Sequence, residues 1–221
     1  LRFSIERTRV LKRLEETQRI ARIGNWEYFP DTNDFSATDE FYRIFGHTDD
    51  RHGIGGESIH DADCPLKVLQ DIHDEVAING SVKQDLKIKQ KGGAYRYVSV
   101  QCNFRQNESN QPVYQGIIQD ITERKLAEQE IFSQSKDALF ISTFDGKFID
   151  FNQATVDVFG YSREELLAMR DSHQLYYPQE RKNEFLLKLK AQKAVKDFEI
   201  SIAHKRGEVR ECMMTATIIT T

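Results

Sequence analysis

The chain has few cysteines and no long apolar run. Its three cysteines, Cys64, Cys102 and Cys212, are odd in number and widely spaced, and no two of them form a Cys-x-x-Cys pair. This usage excludes a disulfide framework and predicts reduced thiols in a cytoplasmic segment. No apolar stretch approaches the roughly 18 residues of a membrane span, and no signal-peptide pattern is present. Membrane contact by this segment is therefore not expected, which leaves open an anchor upstream of Leu1.

The motifs of common active sites are missing as well. The sequence has no GxGxxG, GxxxxGK[ST] or HExxH motif and no nucleophile elbow, so dinucleotide, P-loop, zinc-protease and acyl-transfer chemistry all lack support. Kinase and cyclase signatures are also absent. The net charge of −4 gives no reason to expect nucleic acid as a partner. The sequence predicts a non-catalytic chain and disfavours a stand-alone enzyme.

The two halves of the chain repeat one another. The segment 45–48, Phe-Gly-His-Thr, superposes on 159–162, Phe-Gly-Tyr-Ser, when the numbering is shifted by 114 positions. The same shift places Trp26 on Phe140 and Arg96 on Arg210. A repeat of roughly 100 residues can bury a core of its own, so two similar modules in tandem are predicted.

The first 23 residues contain neither proline nor glycine and predict a helix that Gly24 ends. Its apolar residues recur at spacings of seven, four, three and four, and they are Phe3, Val10, Leu14, Thr17 and Ala21. Such a narrow stripe is typical of a coiled-coil seam between two copies of a chain. The alternative is a solvated amphipathic helix that packs on its own domain.

The segment 24–121 predicts the first module. Strands at 25–29 and 35–37 form a hairpin, and Thr38 or Asp39 caps a short helix that Gly46 ends. A longer helix begins at Pro65 and is closed by Asn79 and Gly80. Three strands follow, at 82–90, 95–104 and 113–121.

The segment 135–221 predicts a second module with the same order of elements. Strands at 138–143 and 147–151 precede a helix at 152–159, and a helix that begins at Pro178 precedes strands at 197–203 and 209–219. The repeat shift places the counterpart of Asp120 near position 234, beyond Thr221. The second module is therefore expected to lack its last strand.

Three segments carry a resemblance to a known family. They are IARIGNWEY at 20–28, FNQATVDVFGYSREEL at 151–166 and DITERK at 120–125. Together they resemble tandem PAS domains, the sensory boxes of bacterial signalling proteins. The resemblance implies an α+β fold with two modules, each a five-stranded antiparallel sheet with helices on one face, joined by a helix at 122–134.

The resemblance also implies a function. PAS modules of this kind form non-catalytic sensory and dimerisation regions that detect a signal or small ligand and relay it through helices to an effector in the same chain. The expected effector is a histidine kinase, and the alternatives are a diguanylate cyclase or phosphodiesterase, or a protein-interaction array without ligand. The expected partner is a second copy of the chain, bound through the amino-terminal and connecting helices.

The expected relay residues are Asp120, Ile121, Thr122 and Glu123. Asp120 follows the last strand of the first module and is placed to cap the next helix, and Glu123 is placed to complete a capping box. In the family, as the resemblance implies, the Asp-Ile-Thr element couples changes in the sheet to the outgoing helix. The alternative is an inert linker.

The sequence argues against three kinds of prosthetic group and leaves any other cofactor open. Light-sensing flavin members of the family carry an Asn-Cys-Arg-Phe-Leu-Gln phrase, which this chain lacks. Haem members use a histidine on the long helix, but His73 lies at the edge of that helix if Ile72 faces inward. The metal-like residues are too loosely spaced for a site, and they are His47, His52, His60, Asp61, Asp63 and Cys64.

The interior of each module is interpreted as packed core, with a small-molecule cavity as the alternative. The candidates in the first module are Trp26, Phe41, Phe45, Ile72, Tyr97 and Ile117. Those in the second module are Phe140, Phe151, Phe159, Phe185, Ile200 and Met213. Trp26 and Tyr97 need polar partners if they are buried, which keeps a polar ligand among the hypotheses.

Overall fold

A computed structural model of the chain describes residues 2–47, 76, 79–90 and 92–219. The chain divides into two compact units, which we call the amino-terminal unit (Leu1–Leu126) and the carboxy-terminal unit (Ala127–Thr221). Several candidate ligand and core residues lie outside the described residues, namely His52, His60, Asp61, Asp63, Cys64, Ile72 and His73. Among the described residues, no helix is both long and apolar enough to cross a membrane.

The amino-terminal unit is built around one antiparallel sheet. Its described elements are α1 (Arg2–Ala21), β1 (Ile23–Phe29), β2 (Asp34–Ala37), α2 (Asp39–Ile44), β3 (Ser81–Lys89), β4 (Tyr95–Gln106) and β5 (Pro112–Asp120), followed by helix α3 (Thr122–Gln134). The strand order is β2-β1-β5-β4-β3, which confirms the predicted five-stranded antiparallel sheet in this unit. Because the start of β1 pairs with the end of β5, the end of α1 lies beside the start of α3.

Helix α2 packs closely on strand β1 and closes the core of the amino-terminal unit. Phe41, Ile44 and Phe45 of this helix region are buried against Trp26 and the inward side chains of the sheet. Gly24 makes this contact possible, since a Cβ atom there would lie 2.5 Å from Phe41 Cα.

Two local predictions in the amino-terminal unit were wrong. Gly24 does not end the first helix, because α1 already ends at Ala21 and Arg22 adopts a left-handed φ of 52° before β1 begins. Thr38 occupies the residue before α2, but its hydroxyl accepts a hydrogen bond from Asn25 N at 3.0 Å instead of capping the helix. In both cases the packing of β1 against α2 determines the local structure.

The carboxy-terminal unit has shorter elements. After α3 come β6 (Phe140–Ser142), β7 (Phe148–Phe151), α4 (Gln153–Phe159), α5 (Arg163–Ala168), a 3₁₀ turn (Ser172–Leu175), β8 (Tyr176–Tyr177), α6 (Gln179–Gln192), β9 (Ala194–Ala203) and β10 (Val209–Thr217). The described strands form two sheets, β6-β7 and β10-β9-β8, and not the single sheet that the sequence predicted. Both sheets contribute to one core, since Phe148 and Phe151 cluster with Phe198 and Ile202.

The ends of helix α4 follow local sequence signals. The Asn152 side chain accepts a hydrogen bond from Thr155 N, as expected of a residue that caps a helix start. Gly160 ends the helix with a φ of 76°, and the next helix, α5, begins with a capping box between Ser162 and Glu165.

Candidate functional site

Asp120 lies where strand β5 becomes helix α3, and its side chain is only 1% exposed. Its Oδ1 accepts a hydrogen bond from Thr122 N at 2.9 Å, and its Oδ2 is paired with the Arg96 guanidinium of strand β4. Its backbone N donates to Arg22 O at 3.0 Å. One buried carboxylate thus connects β4, β5 and the first residue of α3.

Strand β4 holds the start of α3 through backbone contacts as well. Tyr97 N donates to Thr122 Oγ1 at 3.0 Å, and Ile121 N donates to Tyr97 O at 2.9 Å. We call residues Asp120, Ile121, Thr122 and Glu123 the strand-to-helix junction. The adjacent β4 residues Arg96 and Tyr97 thus contact Asp120, Ile121 and Thr122 at the start of α3.

The predicted capping box at this junction is not formed. Asp120 accepts a hydrogen bond from the first helical N–H group, that of Thr122. The Glu123 carboxylate does not complete the box, because it forms an ion pair with Arg22 Nη2 at 2.6 Å. Arg22 joins α1 to β1, so this ion pair connects the incoming helix with the outgoing one. Both side chains are exposed, so water and salt screen their attraction and the pair contributes little to stability.

The opposite side of the first turn of α3 is held by Asp85 of strand β3. Its carboxylate lies 3.2 Å from Lys125 Nζ and 3.7 Å from the Arg124 guanidinium. The sequence analysis did not identify Asp85, Arg96 or Arg22, whose partners lie far away in the sequence. The one sequence feature that drew attention to Arg96 was the repeat, which aligns it with Arg210.

The environment of Asp120 favours its ionised form. Burial acts to raise the pKa of the carboxyl, but the hydrogen bonds from Thr122 and Arg96 outweigh it, and the pKa lies below its ordinary value. A carboxylate whose pKa is lower in the folded state stabilises the fold above its unfolded pKa of about 3.9. That contribution is lost as the pH falls through the folded pKa.

We therefore expect Asp120→Asn to destabilise the amino-terminal unit most at neutral pH. The difference from wild type should be constant above about pH 5 and should shrink as the pH falls below about 4, because both chains are then uncharged at this position. Urea unfolding followed by the fluorescence of Trp26, the only tryptophan, measures this difference. A difference that grows on acidification would contradict the assignment.

The core of the amino-terminal unit brings together only part of the predicted interior. Trp26, Phe41 and Phe45 are buried in one cluster, as expected. Tyr97 and Ile117 are not, because the strand positions next to them, Val98 and Ile118, point inward instead. Alternate residues of a strand face opposite sides, so both predictions were wrong by one position.

Trp26 carries an unsatisfied polar group inside this core. Its side chain is 3% exposed, and its Nε1 is the one buried side-chain nitrogen or oxygen of the described chain without a hydrogen-bond partner. The indole packs over Gly116, where an added Cβ would lie 3.0 Å from Trp26 Cζ2. A buried N–H group without an acceptor costs about 1–3 kcal/mol, so an acceptor from a bound molecule would stabilise this arrangement.

The core of the carboxy-terminal unit contains most of its predicted residues. Phe151, Phe159, Phe185 and Ile200 are buried, with Phe140 packed against them, but Met213 is 66% exposed. Strand β10 turns Cys212, Met214 and Ala216 toward the core, so the prediction for Met213 again failed by one position. The sequence analysis missed Tyr176, whose hydroxyl has a raised pKa because it is buried.

Histidine, cysteine and acidic side chains do not converge on a metal-like site in the part of the chain that the structure describes. His173 lies in the 3₁₀ turn, where its backbone N donates to Asp171 Oδ1 at 2.8 Å. Burial raises the pKa of the Cys102 thiol to about 11, so this cysteine stays protonated and unreactive at neutral pH.

Residues 129–221 match the family model described as the PAS fold. The carboxy-terminal part of the chain is therefore similar to the PAS fold. The match covers less than half of the 221 residues and includes no part of the sheet of the amino-terminal unit.

Similar proteins include bacterial histidine kinases. The chain is 28% identical over 131 residues to a blue-light-activated histidine kinase of Brucella anthropi, a match that covers 58% of the chain and 26% of that relative. Among solved structures, a PAS domain from Colwellia psychrerythraea covers 52% of the chain and 99% of its own length at 17% identity and a TM-score of 0.39. A sensory box histidine kinase/response regulator from Burkholderia thailandensis E264 covers 54% of the chain and 92% of its own length, at 22% identity and a TM-score of 0.38.

Proposed function

We propose that the chain is a non-catalytic sensory and dimerisation region, in which a signal alters the sheet of the amino-terminal unit and passes through α3 toward a downstream effector. The observation that carries this proposal is the strand-to-helix junction. Buried Asp120 ties the first residue of α3 to Arg96 in strand β4. Small changes in a sheet can be converted in this way into a change of helix position.

The amino-terminal unit is proposed as a second PAS module. Its strands β1 and β4 are the repeat counterparts of β6 and β10, since Trp26 aligns with Phe140 and Arg96 with Arg210. In the amino-terminal unit, β5 lies between β1 and β4. Among the described strands, β6 pairs with β7 alone and β10 with β9 alone, which supports a place for one further strand between them.

A chain extended through position 234, the repeat counterpart of Asp120, tests this arrangement. The additional strand would satisfy the free edges of β6 and β10, so the unfolding midpoint of the carboxy-terminal unit should rise. An unchanged midpoint would argue against the repeat alignment.

The proposed effector is a histidine kinase, because the relative from Brucella anthropi is one. A diguanylate cyclase or phosphodiesterase is the alternative, since the same kind of tandem sensory region precedes these enzymes in the resembling family. Covalent flavin photochemistry is not part of the proposal, because the chain lacks the cysteine-containing phrase of the light-sensing members.

A small polar ligand in the amino-terminal unit is the proposed signal, and the unsatisfied Trp26 Nε1 supports it. Native mass spectrometry of the purified chain, with an absorption spectrum of the same sample, tests the proposal. A bound mass that is lost in Trp26→Phe would support a ligand that accepts a hydrogen bond from the indole. A mass equal to that of the polypeptide in both chains would favour the alternative, a protein-interaction array without ligand.

A second copy of the chain is the proposed partner of helix α1. Val10 and Leu14 of the apolar stripe are 63% and 54% exposed. Arg19 and Glu15, on the other face of the helix, line a cleft shared with Thr38 and α2. The polar face therefore turns toward the unit, and the stripe is left for another molecule. Leu126 and Ile131 are also exposed on α3, the second helix proposed for dimerisation.

Replacing both Val10 and Leu14 with glutamate is expected to convert a dimer into a monomer, because four like charges would meet in the seam. Sedimentation velocity measures the mass. Arg9→Glu, an exposed charge change of the same sign outside the stripe, should leave the dimer intact. An unchanged mass in the double variant would show that α1 does not form the dimer interface.

A further inference from the structure

A cleft of about 620 Å³ lies beside the first turn of α3 in the amino-terminal unit. Arginines from four different parts of the fold line it: Arg19 near the end of α1, Arg22 at the start of β1, Arg43 in α2 and Arg96 in β4. Arginine guanidinium groups match the geometry of carboxylate and phosphate groups, to which they donate paired hydrogen bonds. A volume of this size accommodates a small metabolite.

Three of these arginines already have carboxylate partners in the cleft. Arg96 is paired with Asp120, Arg22 with Glu123, and Arg43 with Glu40 at 3.0 Å. The guanidinium group of the fourth arginine has no carboxylate partner among the described residues.

Arg19 is that fourth residue, and its side chain makes no hydrogen bond or ion pair with another described residue. Four guanidinium groups therefore face three carboxylates, and the excess positive charge resides on the side chain without a partner.

The neighbouring cleft between α1 and α2 has the opposite balance. It shares Arg19, Glu40 and Arg43 with the first cleft, and Lys12 is the only other cation among its described lining residues. Four carboxylates line it, namely Glu15, Glu16, Asp39 and Glu40. The charged side chains that line the cleft beside α3 thus sum to +1, and those of its neighbour sum to −1, which favours an anion in the cleft beside α3.

We propose that this cleft binds a small anion that carries phosphate or carboxylate groups, with Arg19 as its main partner. The second partner is Arg22, because both side chains of the Arg22–Glu123 pair are exposed and the pair is weak, whereas Arg96 is held by the buried carboxylate of Asp120. An anion between Arg19 and Arg22 competes with Glu123 for Arg22 and releases the Arg22–Glu123 contact at the first turn of α3. This consequence rests on the relay function proposed above, whereas the binding itself does not.

Titration of the full chain with inorganic phosphate, and separately with succinate, tests the site. Ionic strength is held constant with chloride, and the Nε–Hε signals of the arginines are followed by NMR. We expect saturable shifts with at least one of the two anions. Arg19→Gln should weaken that binding about tenfold, the effect of losing one charge-assisted contact. Arg13→Gln, which removes the same charge from α1 outside both clefts, should leave it within about twofold.

Non-saturating shifts with both anions, or equal weakening by Arg13→Gln, would overturn the anion site. The release of α3 is measured in the same samples as faster amide exchange at residues 122–126 when the anion saturates. Glu123→Gln should reproduce this faster exchange without any anion. Unchanged exchange in Glu123→Gln would contradict the relay through Arg22, and the binding isotherm would still decide the anion site separately.

Discussion

Replacing Gly160 with alanine is expected to lower the free energy of unfolding of the carboxy-terminal unit by about 3 kcal/mol. Two costs add at this position. Gly160 has a φ of 76°, a conformation that costs an L-residue roughly 1–2 kcal/mol. An added Cβ would also lie 2.1 Å from Nε2 of the buried His204, whose ring would have to move.

The ring of His204 is not free to move without further loss. Its Nδ1 accepts a hydrogen bond from Arg206 N at 3.1 Å, and the adjacent Lys205 N donates to Phe159 O at 2.9 Å. Displacing His204 therefore disturbs the turn between β9 and β10 and the end of α4 together.

Gly207→Ala is the matched control. Gly207 has a φ of 88°, but no atom lies within 4 Å of an added Cβ, so only the backbone cost of about 1–2 kcal/mol applies. Urea unfolding followed by circular dichroism measures both variants. Trp26 fluorescence, which reports on the other unit, should not respond. Equal losses in Gly160→Ala and Gly207→Ala would contradict the packing of His204 against Gly160.

Replacing Asp120 with alanine is expected to destabilise the amino-terminal unit by about 2–3 kcal/mol. The substitution leaves Arg96 without its carboxylate and Thr122 N without its acceptor. Breaking a fully buried pair costs more, but Arg96 is partly exposed and water replaces some of the lost contact. The midpoint of Trp26 fluorescence in urea measures the loss.

Asp120→Asn separates the two contributions of this residue. An asparagine oxygen still accepts the hydrogen bond from Thr122 N, but it lacks the charge that pairs with Arg96. We expect its cost at neutral pH to lie between zero and that of the alanine variant. A loss below about 0.5 kcal/mol in Asp120→Ala, typical of surface substitutions, would show that the junction is an inert linker.

Much of the fold could be predicted from the sequence because its signals are local. The hairpin of β1 and β2, the strands β3, β4 and β5, and the helix that begins at Thr122 follow from alternation and turn residues. Short elements such as α5 and β8 were missed, because two to six residues carry too little periodicity. Gly24 was misread as a helix stop, since its close contact with Phe41 is visible only in three dimensions.

The candidate site was less predictable because its contacts are long-range. Asp120 was identified from the strand-to-helix pattern and Thr122 from the family resemblance, but the partner of Glu123 is Arg22, which lies 101 positions away in the sequence. The sequence also did not determine which residues of a strand face the core and which face solvent. Tyr97 and Met213 were each placed on the wrong face, because aromatic and apolar residues occur on both sides of these strands.

We propose that the sheet of the amino-terminal unit controls the start of α3 through the strand-to-helix junction. Site-resolved amide exchange of Arg96→Gln tests it directly, with Arg105→Gln as the control, because Arg105 lies in the same strand but bonds to Gln115 at 2.7 Å. We predict that exchange from Thr122 to Lys125 becomes about tenfold faster in Arg96→Gln and stays unchanged in Arg105→Gln. Equal protection of these amides in wild type and Arg96→Gln would contradict the account.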